Sequence, residues 1–209
     1  MARLKAARVA VIGVGGVGGW CAEALVRTGV GRLVLVDDDV VQPSNLNRQD
    51  AALVSTLGAK KVEALKSRLA AVNPEAEIAA LDFRFRTAAD LARLGRVDCI
   101  VDAIDSVAEK AELILAATEA GIPLVSSMGA ALRTDPTAVR MLPFKQVAGD
   151  GLARALRARF KRLKRFPAAD FKVAASGEPP LAAEVRGSIM PVVAAFGCAL
   201  AAETLGVVG

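Results

Sequence analysis

Residues 9–49 read VAVIGVGGVGGWCAEALVRTGVGRLVLVDDDVVQPSNLNRQ, and this stretch decides the fold. Val9 to Ile12 is a short apolar run, β-branched at three of four positions, which suits a strand buried on both faces. Gly13, Gly15 and Gly18 keep a G-x-G-x-x-G spacing, with Gly16 as an additional glycine, and they open a helix that runs to about Thr28. Glycines permit the tight turn and let the backbone approach a phosphate, while the helix start offers free N–H groups and a positive dipole end. Leu33 to Val36 forms the second strand. Asp37 then lies 19 residues past Gly18, where a carboxylate accepts hydrogen bonds from ribose hydroxyls, and Asp39 joins it in the same site.

Up to this point the pattern also fits an NAD-dependent dehydrogenase. The polar segment Ser44-Asn45-Leu46-Asn47-Arg48-Gln49 argues for a triphosphate instead. Attack of a carboxylate on a phosphate brings anion against anion, so cations are needed. Arg48 can neutralise phosphate oxygens through its fork, Asn45 and Gln49 can hold neighbouring oxygens, and Lys61 supplies a second point charge. After the fourth strand comes VDAIDS, residues 101–106, which sets Asp105 at the carboxyl edge of a parallel sheet, a place suited to Mg²⁺ bridging phosphates. Arg48, Lys61 and Asp105 are the candidate catalytic residues.

GVGGVG, LVLVDDD, SNLNRQ, the step from Gly58 to Lys61 and DAIDS occur in the order and spacing of the adenylating family of ubiquitin-activating-type enzymes, the HesA/MoeB/ThiF group, which residues 8–145 resemble. RTGVG at 27–31, AIDSV at 103–107 followed by Lys110, and IPLVSSMGAALRTDPT at 122–137 resemble the branch of that family acting on a modified tRNA adenosine. The resemblance implies that Asp37 holds the ribose, Arg48, Gln49 and Lys61 the triphosphate, with Asn45 beside them, and that Asp105 binds magnesium. It implies ATP-dependent activation of the threonyl carboxylate of threonylcarbamoyladenosine, with ring closure by the carbamoyl oxygen. A homodimer and a link to a sulfur-carrier or cysteine desulfurase system are implied in the same way.

The chain has 209 residues, 54% of them hydrophobic, enough for one large core and a single domain. Strands and helices alternate over 8–12, 16–28, 32–37, 59–72, 76–81, 97–102, 106–120 and 123–127. That alternation gives an α/β fold of Rossmann-like, doubly wound type: a mainly parallel sheet with helices on both faces. The nucleotide-binding core covers 1–145, a basic helix and crossover loop 146–187, and an apolar helix 188–209. Pro167, Gly177, Pro179, Pro180 and Gly187 mark about 166–187 as a long loop. The apolar run after the basic start breaks at once into glycines, so no secretory leader is expected, and the apolar tail reads as a buried or dimer-facing helix rather than a membrane span. A cytoplasmic protein is the expectation.

There are no histidines and no tyrosines, which excludes imidazole acid–base work. The three cysteines, Cys21, Cys99 and Cys198, have no C-x-x-C spacing and read as small core hydrophobes. Family members that pass a protein through a thioester or persulfide usually carry a cysteine in the crossover, and residues 143–187 contain none.

The formal net charge is +5, yet residues 152–172 alone hold eight basic side chains against one acid. Leu152, Leu156, Phe160 and Leu163 make an apolar helical stripe, leaving Arg154, Arg157, Arg159, Lys161, Arg162, Lys164 and Arg165 on the other faces, all but Arg159 being candidates to meet tRNA phosphates. Like charge at that density repels itself, and a polyanion such as tRNA is its simplest counterpart. Phe160, Phe166 and Phe171 are candidates for stacking a splayed base. Two further readings remain open: adenylation of the C-terminus of a ubiquitin-like sulfur carrier, and a non-catalytic nucleotide- or tRNA-binding module.

Overall fold

The structure, a computed structural model, describes residues 2–182 and 187–209. In chain order the elements are helix α1 (Ala2–Ala6), strand β1 (Arg8–Ile12), α2 (Gly16–Arg27), β2 (Arg32–Asp37), α3 (Lys61–Val72), β3 (Glu77–Asp82), α4 (Leu91–Leu94), β4 (Cys99–Asp102), α5 (Val107–Glu119), β5 (Leu124–Ser127), β6 (Val139–Pro143), α6 (Gly151–Leu163), β7 (Lys172–Ser176) and α7 (Met190–Val208). They build one seven-stranded sheet in the order β3-β2-β1-β4-β5-β7-β6. Every pairing is parallel except β6 against β7. From β1 the chain winds one way to β2 and β3, then returns to lay β4 and β5 on the other side. The switch point therefore falls between β1 and β4, whose carboxyl ends deliver Gly13 and Asp102 to one place.

Alternation along the central strands explains why they read as unbroken apolar runs. Val9, Val11, Leu33, Leu35 and Val101 point into a core shared with Cys21, Leu25, Leu65 and Phe196. Ala10, Ile12, Val34, Val36 and Ile100 point the other way, among Leu113, Ile114, Leu156 and Phe160. Both faces are covered by helices, so period-2 amphipathicity has nothing to report.

Three expectations are corrected. The stretch expected as loop, about 166–187, contains β7, which slots between β5 and β6; residues 183–186 of it lie outside the described residues. Cys21 and Cys99 are buried and burial raises both thiols, Cys99 to about 12, whereas Cys198 is exposed on the outer side of α7 and is no core residue. Phe160 and Phe171 are buried, with Phe171 stacked on Phe144 at 5.0 Å, which leaves Phe166, 62% exposed, as the one accessible aromatic of the three.

By length and composition α7 could cross a membrane. It instead lies on α2, burying Val192, Val193, Phe196, Leu200 and Ala201. A side-chain carbon at Gly197 would stand 2.7 Å from the Val17 carbonyl oxygen and 2.8 Å from Trp20 Cβ, so glycine is what lets the two helices touch.

Candidate active site

The glycine turn at the end of β1 is the hub of the carboxyl edge. Gly13 has φ +86°, and a Cβ there would sit 2.8 Å from the Ala103 carbonyl oxygen in the turn after β4. A Cβ on Gly18 would fall 1.8 Å from the Gly13 carbonyl oxygen. Gly16 has a different duty: its Cα faces Val193 of α7, with 3.3 Å left for a Cβ, so its missing side chain serves helix docking, while its N–H remains among the unpaired donors that begin α2.

Asp37 is tied to that turn. One carboxylate oxygen accepts the Val14 N–H at 2.9 Å and the other the Asp39 N–H at 2.9 Å. Burial holds its carboxyl above the usual carboxylate range, against those two hydrogen bonds and the nearby Lys61. The fixed orientation leaves the remaining lone pairs for sugar hydroxyls at the edge of the sheet.

The segment after β2 returns to the same turn. Trp20 Nε1 of α2 donates to the Arg48 carbonyl at 3.0 Å, and the Gln49 amide nitrogen lies 3.6 Å from where a Gly15 side chain would begin. Arg48 Nη1 donates to the Ser44 carbonyl at 2.7 Å and Asn47 Oδ1 at 2.8 Å, so part of the guanidinium is held by its own loop. Asn45 is buried, and its amide oxygen caps the turn by accepting the Gln42 N–H at 3.0 Å; this shapes the loop rather than aiming an oxygen at a ligand. Lys61 is not a free cation either. Its ammonium is 2.7 Å from Asp39 Oδ2, an ion pair that an anion entering the site must share. Asp37, Asp38 and Asp39 bring carboxylate oxygens within 4.8 Å of one another, with Arg84 neutralising Asp38 at 3.2 Å.

The third arm is the turn after β4, where Asp105 is exposed and, among the described residues, in no hydrogen bond or ion pair. A bare hard-oxygen donor at this edge fits a magnesium ion carried with a nucleotide. Behind it lies a cluster that sequence reasoning did not assign. Lys110, without solvent exposure, is paired with the equally buried Asp102 at 2.8 Å, and Ser126 Oγ donates to Asp102 at 2.7 Å. Burial lowers the Lys110 pKa, outweighing the attraction of Asp102. The signal was Lys110 itself, an ionisable residue in an otherwise apolar helix face between Val107 and Ile114.

Glycine turn, ribose-type carboxylate, Arg-Gln loop and Asp105 turn thus meet around one helix start, and the ThiF family profile matches residues 1–209. The chain belongs to the ThiF family. It is 43% identical over 161 residues to the tRNA threonylcarbamoyladenosine dehydratase of Bacillus subtilis, a match spanning 76% of this chain and 63% of that protein. The Escherichia coli protein of the same name is 41% identical over 157 residues, spanning 74% of this chain and 58% of the relative. The chain therefore spans about three fifths of the length of these curated relatives. The crystal structure of the E. coli dehydratase in complex with ATP superposes with a TM-score of 0.89 at 34% identity, covering 97% of this chain and 86% of that one.

The basic helix of this ThiF protein, α6, starts at the same edge. Its N-cap Asp150 accepts the Ala153 N–H at 2.9 Å and the N–H of Gly129, just past β5, at 3.2 Å. The buried Arg133 reaches the same carboxylate at 3.5 Å. From there the helix runs beside α5, and thirteen residues carry it about 20 Å toward the opposite edge of the sheet. Two of the six side chains expected to meet phosphates are spoken for. Arg157 donates to the Phe144 and Val147 carbonyls, both at 2.8 Å, and Arg165 pairs with Glu119 at 3.1 Å and Glu112 at 3.4 Å. Arg154, Lys161, Arg162 and Lys164 are exposed and, among the described residues, without an ion pair.

Proposed function

We propose that this ThiF-family protein is an ATP-dependent enzyme that dehydrates threonylcarbamoyladenosine in tRNA through adenylation of its carboxylate. The observation that carries the reading is the meeting of Asp37, the Arg48-Gln49 segment and the Asp105 turn at the Gly13–Gly18 helix start. The names of the similar dehydratases, and the ATP held by one of them, support this choice of substrate.

Asp37 holds the ribose hydroxyls, while the N–H groups opening α2 and the cations Arg48 and Lys61 receive the phosphates, Lys61 by sharing itself with Asp39. Asp105 would hold magnesium, whose charge offsets that of the phosphates. The threonyl carboxylate oxygen forms a bond to the α-phosphorus and pyrophosphate leaves. The carbamoyl oxygen then bonds to the acyl carbon, AMP leaves and the carbamoyl N–H proton passes to solvent, closing the ring with the net loss of one water from the nucleoside. With no histidine in the chain, rate enhancement comes from positioning and electrostatics. The tRNA phosphates lie along Arg154, Lys161, Arg162 and Lys164, on the helix that begins at the reacting edge.

Mass spectrometry of tRNA nucleosides after incubation with the protein, ATP and magnesium tests the reading: threonylcarbamoyladenosine should lose one water, with pyrophosphate release dependent on that tRNA. Pyrophosphate exchange that ignores tRNA and needs a small Gly-Gly-tailed protein would assign carrier adenylation instead. No turnover with either substrate would leave a nucleotide- or tRNA-binding module.

A further inference from the structure

The turn that carries Asp105 is anchored from beneath by bonds an ordinary core would not provide. The Lys110 ammonium donates to the Ile104 carbonyl at 2.9 Å, while Asp102 Oδ1 accepts the Ile104 N–H at 3.1 Å. The Ala103 N–H reaches across to the Ile12 carbonyl at 2.8 Å, and the Lys110 N–H closes the first turn of α5 on the Ser106 carbonyl at 3.0 Å. Both sides of the peptide backbone leading into Asp105 are therefore held by one buried ion pair, itself fixed to β5 through Ser126.

A buried ion pair is a poor device for stability, because apolar side chains of the same volume generally serve as well once both charges are removed. Apolar side chains cannot, however, bond to the N–H and the carbonyl of Ile104, the residue preceding Asp105. We propose that Lys110, together with Asp102 and Ser126, is a positioning device that sets where the Asp105 carboxylate meets the metal–nucleotide complex. The inference rests on Asp105 being the magnesium ligand, as read above. Groups that orient a ligating carboxylate commonly govern about 10–100-fold in metal affinity.

The test measures Mn²⁺ binding by electron paramagnetic resonance in the presence of an unreactive ATP analogue, with AMP binding measured separately without metal. Lys110→Met/Asp102→Leu/Ser126→Ala removes every charge and hydroxyl together, and it should lower Mn²⁺ affinity by about 10–100-fold while leaving AMP affinity within about twofold. Lys110→Arg, which keeps the charge but puts a longer, planar fork where the compact ammonium meets the Ile104 carbonyl, should move Mn²⁺ affinity the same way and covers the case in which the triple variant fails to fold. Wild-type Mn²⁺ affinity in either folded variant overturns the proposal, as does an equal loss of AMP affinity, which would mean general distortion of the edge. Asp105→Asn separates the layers: unchanged Mn²⁺ affinity there removes the metal-ligand reading itself, whereas a loss there with none in the Lys110 variants removes only the positioning role.

Discussion

The glycine turn after β1 and the basic helix α6 both offer positive potential to an anion, by opposite means. The turn uses partial charges of the main chain, the unpaired N–H groups and dipole of α2, set in place by close approaches that leave no room for a single carbon at Gly13 or Gly18. The helix uses full charges on long side chains, some of which hold the protein together instead: Arg157 is bonded to backbone carbonyls and Arg165 to two glutamates of α5. A site made of backbone is all or nothing. A site made of side chains is divided between ligand and fold, and its sequence overstates it.

The contrast can be broken in four ways. Arg48→Ala is the largest: losing one transition-state cation should cost about 10²–10³ in the rate of pyrophosphate release, followed by single-turnover kinetics, with tRNA affinity unchanged. An unchanged rate would leave the phosphates to the backbone donors and Lys61. Gly18→Ala should destabilise the fold by roughly 1–3 kcal/mol through overpacking and abolish the rise in melting temperature expected on adding ATP, both readable by thermal and urea unfolding. Lys161→Ala/Lys164→Ala should leave the rate at saturating tRNA intact but flatten the dependence of log tRNA affinity on log salt by about 0.7–0.9 for each phosphate no longer neutralised, measured by filter binding. Arg165→Ala is the smallest. Its cation is committed to Glu112 and Glu119, so the salt slope should not change, and a fall in slope would show that the helix lends that charge to RNA after all.

Solvent access to thiols checks the fold independently. Burial raises the Cys21 and Cys99 thiols, so raising the pH through the normal thiol range should activate neither, while exposed Cys198 should react; all three should react in denaturant. Reaction of a second thiol in the native state would mean that α2 or β4 is less well packed than described.

Apart from the one-turn helix α4, the elements between residues 8 and 127 were legible because each carries a strong local signal: a β-branched run, a glycine spacing, an Asn-Pro or Gly stop. Strand β7, Lys172–Ser176, was not, since its alanines carry little strand preference and its place is made by neighbours on both sides. In the candidate site, the gathering of the glycines, Asp37, the Arg48-Gln49 segment and the Asp105 turn at one sheet edge was legible, because steric and charge requirements act on residues close in sequence or in a fixed motif. The Lys110–Asp102–Ser126 cluster was not, nor was the pairing of Lys61 with Asp39, because those bonds join residues 8 to 24 positions apart across separate elements.

The chain by itself determined the doubly wound class, the candidate site at the carboxyl edge beside the first glycine turn, and the concentration of basic charge in residues 152–172, since periodicity, glycine sterics and composition are local properties. Only the tertiary structure decided which cations remain free, which cysteine meets solvent and what holds the Asp105 turn. Those depend on who stands opposite each side chain, and a carboxylate, carbonyl or ring brought in from elsewhere in the chain changes a charge from available to engaged without altering a letter of the sequence.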